Sequence, residues 1–161
     1  MLHYYMGIEI ERKFLVDHEK WQQLTKPSGT VYKQGYLLSD DKRTVRIRVA
    51  DDIAFITLKG SATGISRSEF EYTIPVADGV EILQNMATSA IEKTRYEIDF
   101  CGNIWEVDVF SGDNEGLIVA EIELDKEDQH FEKPEWIKEE VSDDLRYTNA
   151  SLSVSPYKNW A

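Results

Sequence analysis

Residues 7–16 read Gly-Ile-Glu-Ile-Glu-Arg-Lys-Phe-Leu-Val, and no other segment constrains the chain as strongly. In a β-strand successive side chains point to opposite faces, so Glu9, Glu11 and Lys13 share one face while Ile8, Ile10, Arg12 and Phe14 share the other. Two carboxylates and an ammonium in a row offer partners to a hard cation and to a phosphate alike. One such strand could simply turn its charged face to water. Repetition argues otherwise.

The alternation returns in six more segments rich in β-branched or aromatic residues. Residues 44–49 put Arg46 and Arg48 on one face, and residues 55–60 end with Lys59 before a glycine. Residues 69–74 pair Glu69 with Glu71, and residues 93–97 align Lys93, Arg95 and Glu97. Residues 105–110 offer Glu106 and Asp108; residues 119–124 offer Glu121 and Glu123. Residues 32–38 read as a further strand. Like charges two positions apart on one face repel, so these pairs need opposite charges from neighbouring strands, metal ions or a ligand. A closed barrel meets that need by gathering the charged faces around a lumen and turning the apolar faces outward. The expected fold is therefore α+β: a closed antiparallel β-barrel with a charged lumen and flanking helices.

Length and charge narrow the function. The 161 residues suffice for one domain, residues 1–161, and are few for two. Against 18 Lys and Arg stand 30 Asp and Glu, a net charge of −12, which argues against nucleic acid as a partner because phosphate backbones need clustered positive charge. The basic residues concentrate in the strands, as suits a small anion held inside. Cys101, in a turn with Gly102 and Asn103, is the only cysteine, so an intrachain disulfide is excluded and a reducing, cytoplasmic setting is expected. The apolar runs are too short for a membrane span, and no basic-then-apolar leader opens the chain. His3, His18 and His130 match no zinc spacing. A homodimer stays open.

Helices fill the gaps between strands. Asp17 is placed to cap a short helix through Trp21 and Leu24, ending before Pro27. Asp78-Gly79-Val80-Glu81 has capping-box spacing and is expected to open a helix carrying Val80, Leu83 and Met86. Residues 134–137 read as a short helical turn, and Ser142-Asp143-Asp144-Leu145 as the cap of a final helix running to about Leu152.

These segments resemble a known family. Glu9, Glu11 and Lys13 look like the ExExK signature of the CYTH superfamily, the triphosphate tunnel metalloenzymes. The blocks at Gln34-Gly35-Tyr36-Leu37, Arg46-Ile47-Arg48, Leu58-Lys59-Gly60, Glu69-Phe70-Glu71-Tyr72, Lys93-Thr94-Arg95-Tyr96, residues 106–110 and 120–124, and Arg146-Tyr147-Thr148-Asn149 resemble family blocks in the family's order. The likeness is greatest to the short bacterial tripolyphosphatases. It implies an eight-stranded antiparallel β-barrel, a tunnel with a charged lumen, and a metal-dependent hydrolase that splits a small triphosphate, foremost inorganic tripolyphosphate, into pyrophosphate and phosphate. Alternatives on the same tunnel are a class IV-type adenylyl cyclase, a thiamine triphosphatase, or a non-catalytic polyphosphate-binding module.

The resemblance also implies roles. Lys13, Arg46, Arg48, Lys59, Lys93 and Arg95 would bind substrate. Glu9, Glu11, Asp108, Glu121 and Glu123 would hold Mg²⁺ or Mn²⁺. Lys93, Arg95 and Glu123 would be catalytic. Glu69 and Glu71 would orient the cations, while Glu97, Glu106 and Tyr36 are further lumen candidates.

Overall fold

The charged alternation closes on itself. In the computed structural model, which describes residues 7–160, eight strands form one antiparallel ring: β1 (Ile8–Val16), β2 (Thr30–Ser39), β3 (Arg43–Ala50), β4 (Ile53–Gly60), β5 (Ser66–Ile74), β6 (Ser89–Phe100), β7 (Asn103–Phe110) and β8 (Ile118–Glu123). Around the ring they run β1-β5-β4-β3-β2-β6-β7-β8 and back to β1. Closure depends on β1, which changes neighbours along one edge. Its residues 8–10 pair with residues 66–68 of β5, while its other edge pairs residues 11–15 with 119–123 of β8. Where β5 leaves that edge, a short ninth strand, β9 (Ile137–Glu140), takes it up, with Phe14 opposite Glu140 and Val16 opposite Ile137.

Register turns the charged residues inward. Tyr36, Arg46, Thr57 and Glu71 are successive cross-strand partners and therefore share one face, as do Lys13, Glu121 and Glu106. Toward one end that inner face becomes apolar. There Ile91, Phe110 and Val119 pack around Leu152 of α3 (Asn149–Val154), which closes that end of the barrel. A second core lies outside the wall, where Phe14, Trp105 and Ile122 meet Trp136 and Trp21 of α1 (His18–Gln23). Asp17 caps α1 as expected, accepting from the Lys20 amide at 3.0 Å.

Three local expectations are corrected. Helix α2 spans Val76–Asn85 with Pro75 at its N-cap, so Asp78 lies in its first turn and makes no capping bond. The reason is Gly79: a side chain there would bring a Cβ to 2.8 Å from that of Ala54, so the glycine lets the helix backbone lie against the barrel wall. Residues 134–137 form a turn, closed by the Ile137 amide on the Pro134 carbonyl at 3.1 Å, that leads into β9 instead of a helix. The final helix is broken in two. Asp144 caps a single 3-10 turn at Leu145–Tyr147, and Thr148 starts α3 afresh by accepting from the Ser151 amide. Ser142, expected as a cap, accepts instead from the Lys13 backbone amide at 2.9 Å.

Candidate active site

The ring encloses a cavity of about 520 Å³ lined by charged side chains from all eight barrel strands except β2, which contributes Tyr36. So many buried charges are tolerable only where opposite signs meet with good geometry. They do so in four groups. Lys59 Nζ donates to both oxygens of Glu9, at 2.9 and 3.2 Å, and stands 3.1 Å from Glu69. Arg67 Nε donates to the same Glu9 at 3.4 Å. Glu71 gathers Arg48 at 3.2 Å, Arg46 at 3.7 Å and the Thr57 hydroxyl at 2.8 Å. Lys13 reaches Glu121 at 3.7 Å and donates to the Tyr147 carbonyl at 3.2 Å.

The fourth group centres on Asp108. Its Oδ1 accepts from Arg95 Nε at 2.7 Å, and its Oδ2 accepts from Lys93 Nζ at 2.6 Å and Arg95 Nη2 at 2.9 Å. Asn149 at the start of α3 accepts from the same Lys93 ammonium at 3.2 Å. Tyr32 stacks between two guanidinium groups, with Arg48 4.9 Å and Arg95 5.5 Å from its ring centre.

Pairing is incomplete in two places. The Nε groups of Arg46 and Arg48 are buried without a hydrogen-bond partner, although such donors are normally satisfied. Burial, then repulsion from Arg46 and Arg95, lowers the Arg48 pKa. On the other side carboxyls crowd one another. Burial, then the charges of Glu121 and Glu9, push Glu11 well above the ordinary carboxyl value. Burial also opposes ionisation of Glu121, yet Lys13, Arg95, Lys93 and a hydrogen bond from Glu11 hold it well below the usual range. Glu9 behaves alike: burial is outweighed by Lys59, by its hydrogen bond with Glu69 and by Arg67. Burial and the bond to Glu9 carry Glu69 up to about 7 against the pull of Lys59. Burial and the neighbouring Arg95 push Lys93 down to about 8, against Asp108.

A CYTH domain model matches residues 7–155, most of the chain and every strand of the ring. The chain belongs to the CYTH family. It is 49% identical over 156 residues to an inorganic triphosphatase of Acetivibrio thermocellus, covering 96% of this chain and 99% of that one. An inorganic triphosphatase of Nitrosomonas europaea is 38% identical over 155 residues, covering 91% and 97%. A crystal structure of an inorganic triphosphatase superposes with a TM-score of 0.62 at 34% identity, over 90% of this chain and 93% of that one.

Within this CYTH barrel the expected site residues fall into two sets. Lys13, Arg46, Arg48, Lys59, Arg95, Glu9, Glu11, Glu121 and Glu123 line the cavity together. Lys93 and Asp108 are each 1% exposed and stand behind Arg95. Asp108, expected as a metal ligand, accepts from Lys93 and Arg95 through both oxygens, as Glu9 accepts from Lys59 and Arg67. Glu97 is exposed, and His18 and His130 do not line the cavity; His3 lies outside the described residues. Sequence reasoning missed Arg67, although the alternation through Glu69 and Glu71 extends back to it. It also missed Asn149 and the Tyr147 carbonyl, for which the sequence carries no periodic signal.

Among the described residues no three carboxylates form a ready-made metal cage. The donor chemistry nonetheless fits a hard divalent cation: Glu9, Glu11, Glu121 and Glu123 bring carboxylate oxygens to one cavity, the donors that such ions prefer.

Proposed function

We propose that this CYTH protein is a divalent-metal-dependent hydrolase of inorganic tripolyphosphate, releasing pyrophosphate and phosphate. One observation carries the reading: a single cavity gathers the guanidinium groups of Arg46 and Arg48, which share the one carboxylate of Glu71, and a crowded carboxyl pair at Glu11 and Glu121. An anion satisfies the first and a cation the second. A metal triphosphate brings both. Full-length similarity to proteins named inorganic triphosphatase supports the substrate class.

In this reading Arg46, Arg48, Lys59, Lys13 and Arg95 bind and orient the phosphate oxygens, the guanidinium groups offering fork-shaped contacts. Glu9, Glu11, Glu121 and Glu123 would hold Mg²⁺ or Mn²⁺, which when bound would neutralise phosphate charge and polarise water. Water attacks the terminal phosphorus, its proton passes to Glu123, and the bond to the bridging oxygen breaks as pyrophosphate leaves. Lys93 acts from behind, positioning Arg95 through Asp108. The inner end of the cavity, closed by α3, favours a compact triphosphate over a nucleotide.

The test is a phosphate-release assay on tripolyphosphate, pyrophosphate, thiamine triphosphate and ATP, with chelator, Mg²⁺ or Mn²⁺. Tripolyphosphate should give the highest rate, abolished by chelator and restored by metal. Undiminished activity in excess chelator would refute the metal role, and cyclic AMP as the main product from ATP would make the protein a cyclase.

A further inference from the structure

One stretch of chain grips Lys13 at three points. Past Ile10 the edge of β1 that β5 leaves is taken up by β9, but only as far as Phe14 opposite Glu140, one residue short of Lys13. The next two residues complete the edge with their own groups. The Val141 amide donates to the Lys13 carbonyl at 2.8 Å. The Ser142 hydroxyl accepts from the Lys13 amide at 2.9 Å, standing in for the backbone carbonyl that a longer ladder would supply. The chain then turns, closed by the Asp144 amide on the Val141 carbonyl at 3.0 Å, and runs to Tyr147, whose carbonyl accepts from Lys13 Nζ at 3.2 Å. Glu121 stands 3.7 Å from that ammonium, so the carbonyl of this strap is the closer partner.

Behind this grip lies a line of hydrogen bonds on the outer wall. Arg12 follows the alternation of β1 away from the lumen, and its guanidinium lies 5.0 Å from the centre of the Phe131 ring. It donates to both oxygens of Glu140, through Nε to Oε2 at 2.9 Å and through Nη2 to Oε1. The same Oε2 accepts from the Ser142 hydroxyl at 2.6 Å. A hydroxyl has one hydrogen and two lone pairs, so with the hydrogen on Glu140 a lone pair faces the Lys13 amide. The line therefore runs from Arg12 through Glu140 and Ser142 to the backbone of the residue whose side chain lines the cavity. A fork-shaped, charge-assisted pair at its far end makes it stiff.

We infer that Ser142 is a positioning residue for Lys13, held in place by Glu140 and Arg12. The inference rests on the reading of Lys13 as a phosphate-binding group. A lysine ammonium rides on a flexible stem, so a fixed backbone and a fixed acceptor are what bring it to one place. Residues 141–147 supply both. Without the Ser142 hydroxyl the Lys13 amide loses its acceptor, the strap loses its tie to β1, and the Tyr147 carbonyl shifts with it. Misplacement of a binding group by about 1 Å can cost on the order of a hundredfold in rate.

A double-mutant cycle read as kcat/KM for tripolyphosphate tests the inference. Ser142→Ala should lower kcat/KM by about tenfold or more, and Ser142→Thr, which keeps the hydroxyl, should recover most of it. In a Lys13→Ala background the same Ser142→Ala change should have no further effect, because the group it positions is gone. A merely structural role would cost the same in both backgrounds. Where Lys13→Ala turns over too slowly, tripolyphosphate affinity, read by titration calorimetry in a metal that does not support turnover, closes the same cycle. Glu140→Ala should match Ser142→Ala, and the two together should lose no more than one alone. Full kcat/KM in Ser142→Ala, a loss that Ser142→Thr does not recover, or an equal loss in the Lys13→Ala background overturns the inference while the proposed function stands. Wild-type kcat/KM in Lys13→Ala removes Lys13 from the site, and a wild type that releases no phosphate from tripolyphosphate refutes the proposed function; either result takes the inference with it.

Discussion

Lys93 Nζ lies 2.6 Å from Oδ2 of Asp108, and Arg95 grips the same carboxylate through two further bonds. One buried anion thus neutralises two buried cations. Asp108→Asn should therefore cost about 3–5 kcal/mol, the usual penalty for stranding buried charge. Lys93→Met leaves the Arg95–Asp108 pair whole and should cost clearly less. Urea denaturation of the three proteins checks the order, and equal losses would contradict the anchor role.

The same lysine gives stability a pH slope. Its folded pKa, about 8, lies below the ordinary 10.5, so between those values the unfolded chain binds more protons. The burden of the buried charge is fully present below pH 8 and is relieved as pH rises through the window to 10.5. Stability relative to Lys93→Met should rise across that window by on the order of a few kcal/mol. Unfolding free energies at pH 7.5 and pH 10 for both proteins measure it; parallel slopes would remove Lys93 as the cause.

Glu11→Gln separates metal binding from folding. The raised Glu11 pKa means that the folded protein holds this proton more tightly than the unfolded chain does, a cost to stability at pH values above the ordinary carboxyl range. A carboxamide mimics the protonated carboxyl without that cost, so the metal-free variant should melt no lower than wild type. Its Mn²⁺ affinity and phosphate release should each fall tenfold or more, read by titration calorimetry and by the release assay. Unchanged Mn²⁺ affinity would exclude Glu11 as a ligand.

Arg48 tests whether the cavity is built for an anion. Its charge is opposed by burial and by Arg46 and Arg95, with Glu71 as its carboxylate partner. Tripolyphosphate binding should stabilise the wild type by roughly 2.7 kcal/mol at about 100 times its dissociation constant. Arg48→Ala should blunt that response while the ligand-free protein loses little stability. Thermal melts across a tripolyphosphate titration, in a metal that does not support turnover, decide it. A destabilised variant with an undiminished response would make Arg48 a structural clamp.

Alternation alone placed Glu9, Glu11, Lys13, Arg46, Arg48, Arg95 and Glu121 on one inner surface, because the side-chain period of a strand is two and each strand reports its own faces. The same local logic found the α1 cap at Asp17. Contacts between distant segments were another matter. No periodicity in residues 137–140 says that β9 completes the edge of β1, since that edge is vacant only because β5 departs from it. Nor does it say that Asp108 faces two cations, or that a break at Thr148 aims Asn149 at Lys93 and the Tyr147 carbonyl at Lys13. Which face a residue occupies is set by its neighbours in the chain; which charge it meets across the lumen is set by ring closure and register, and only the folded barrel decides those.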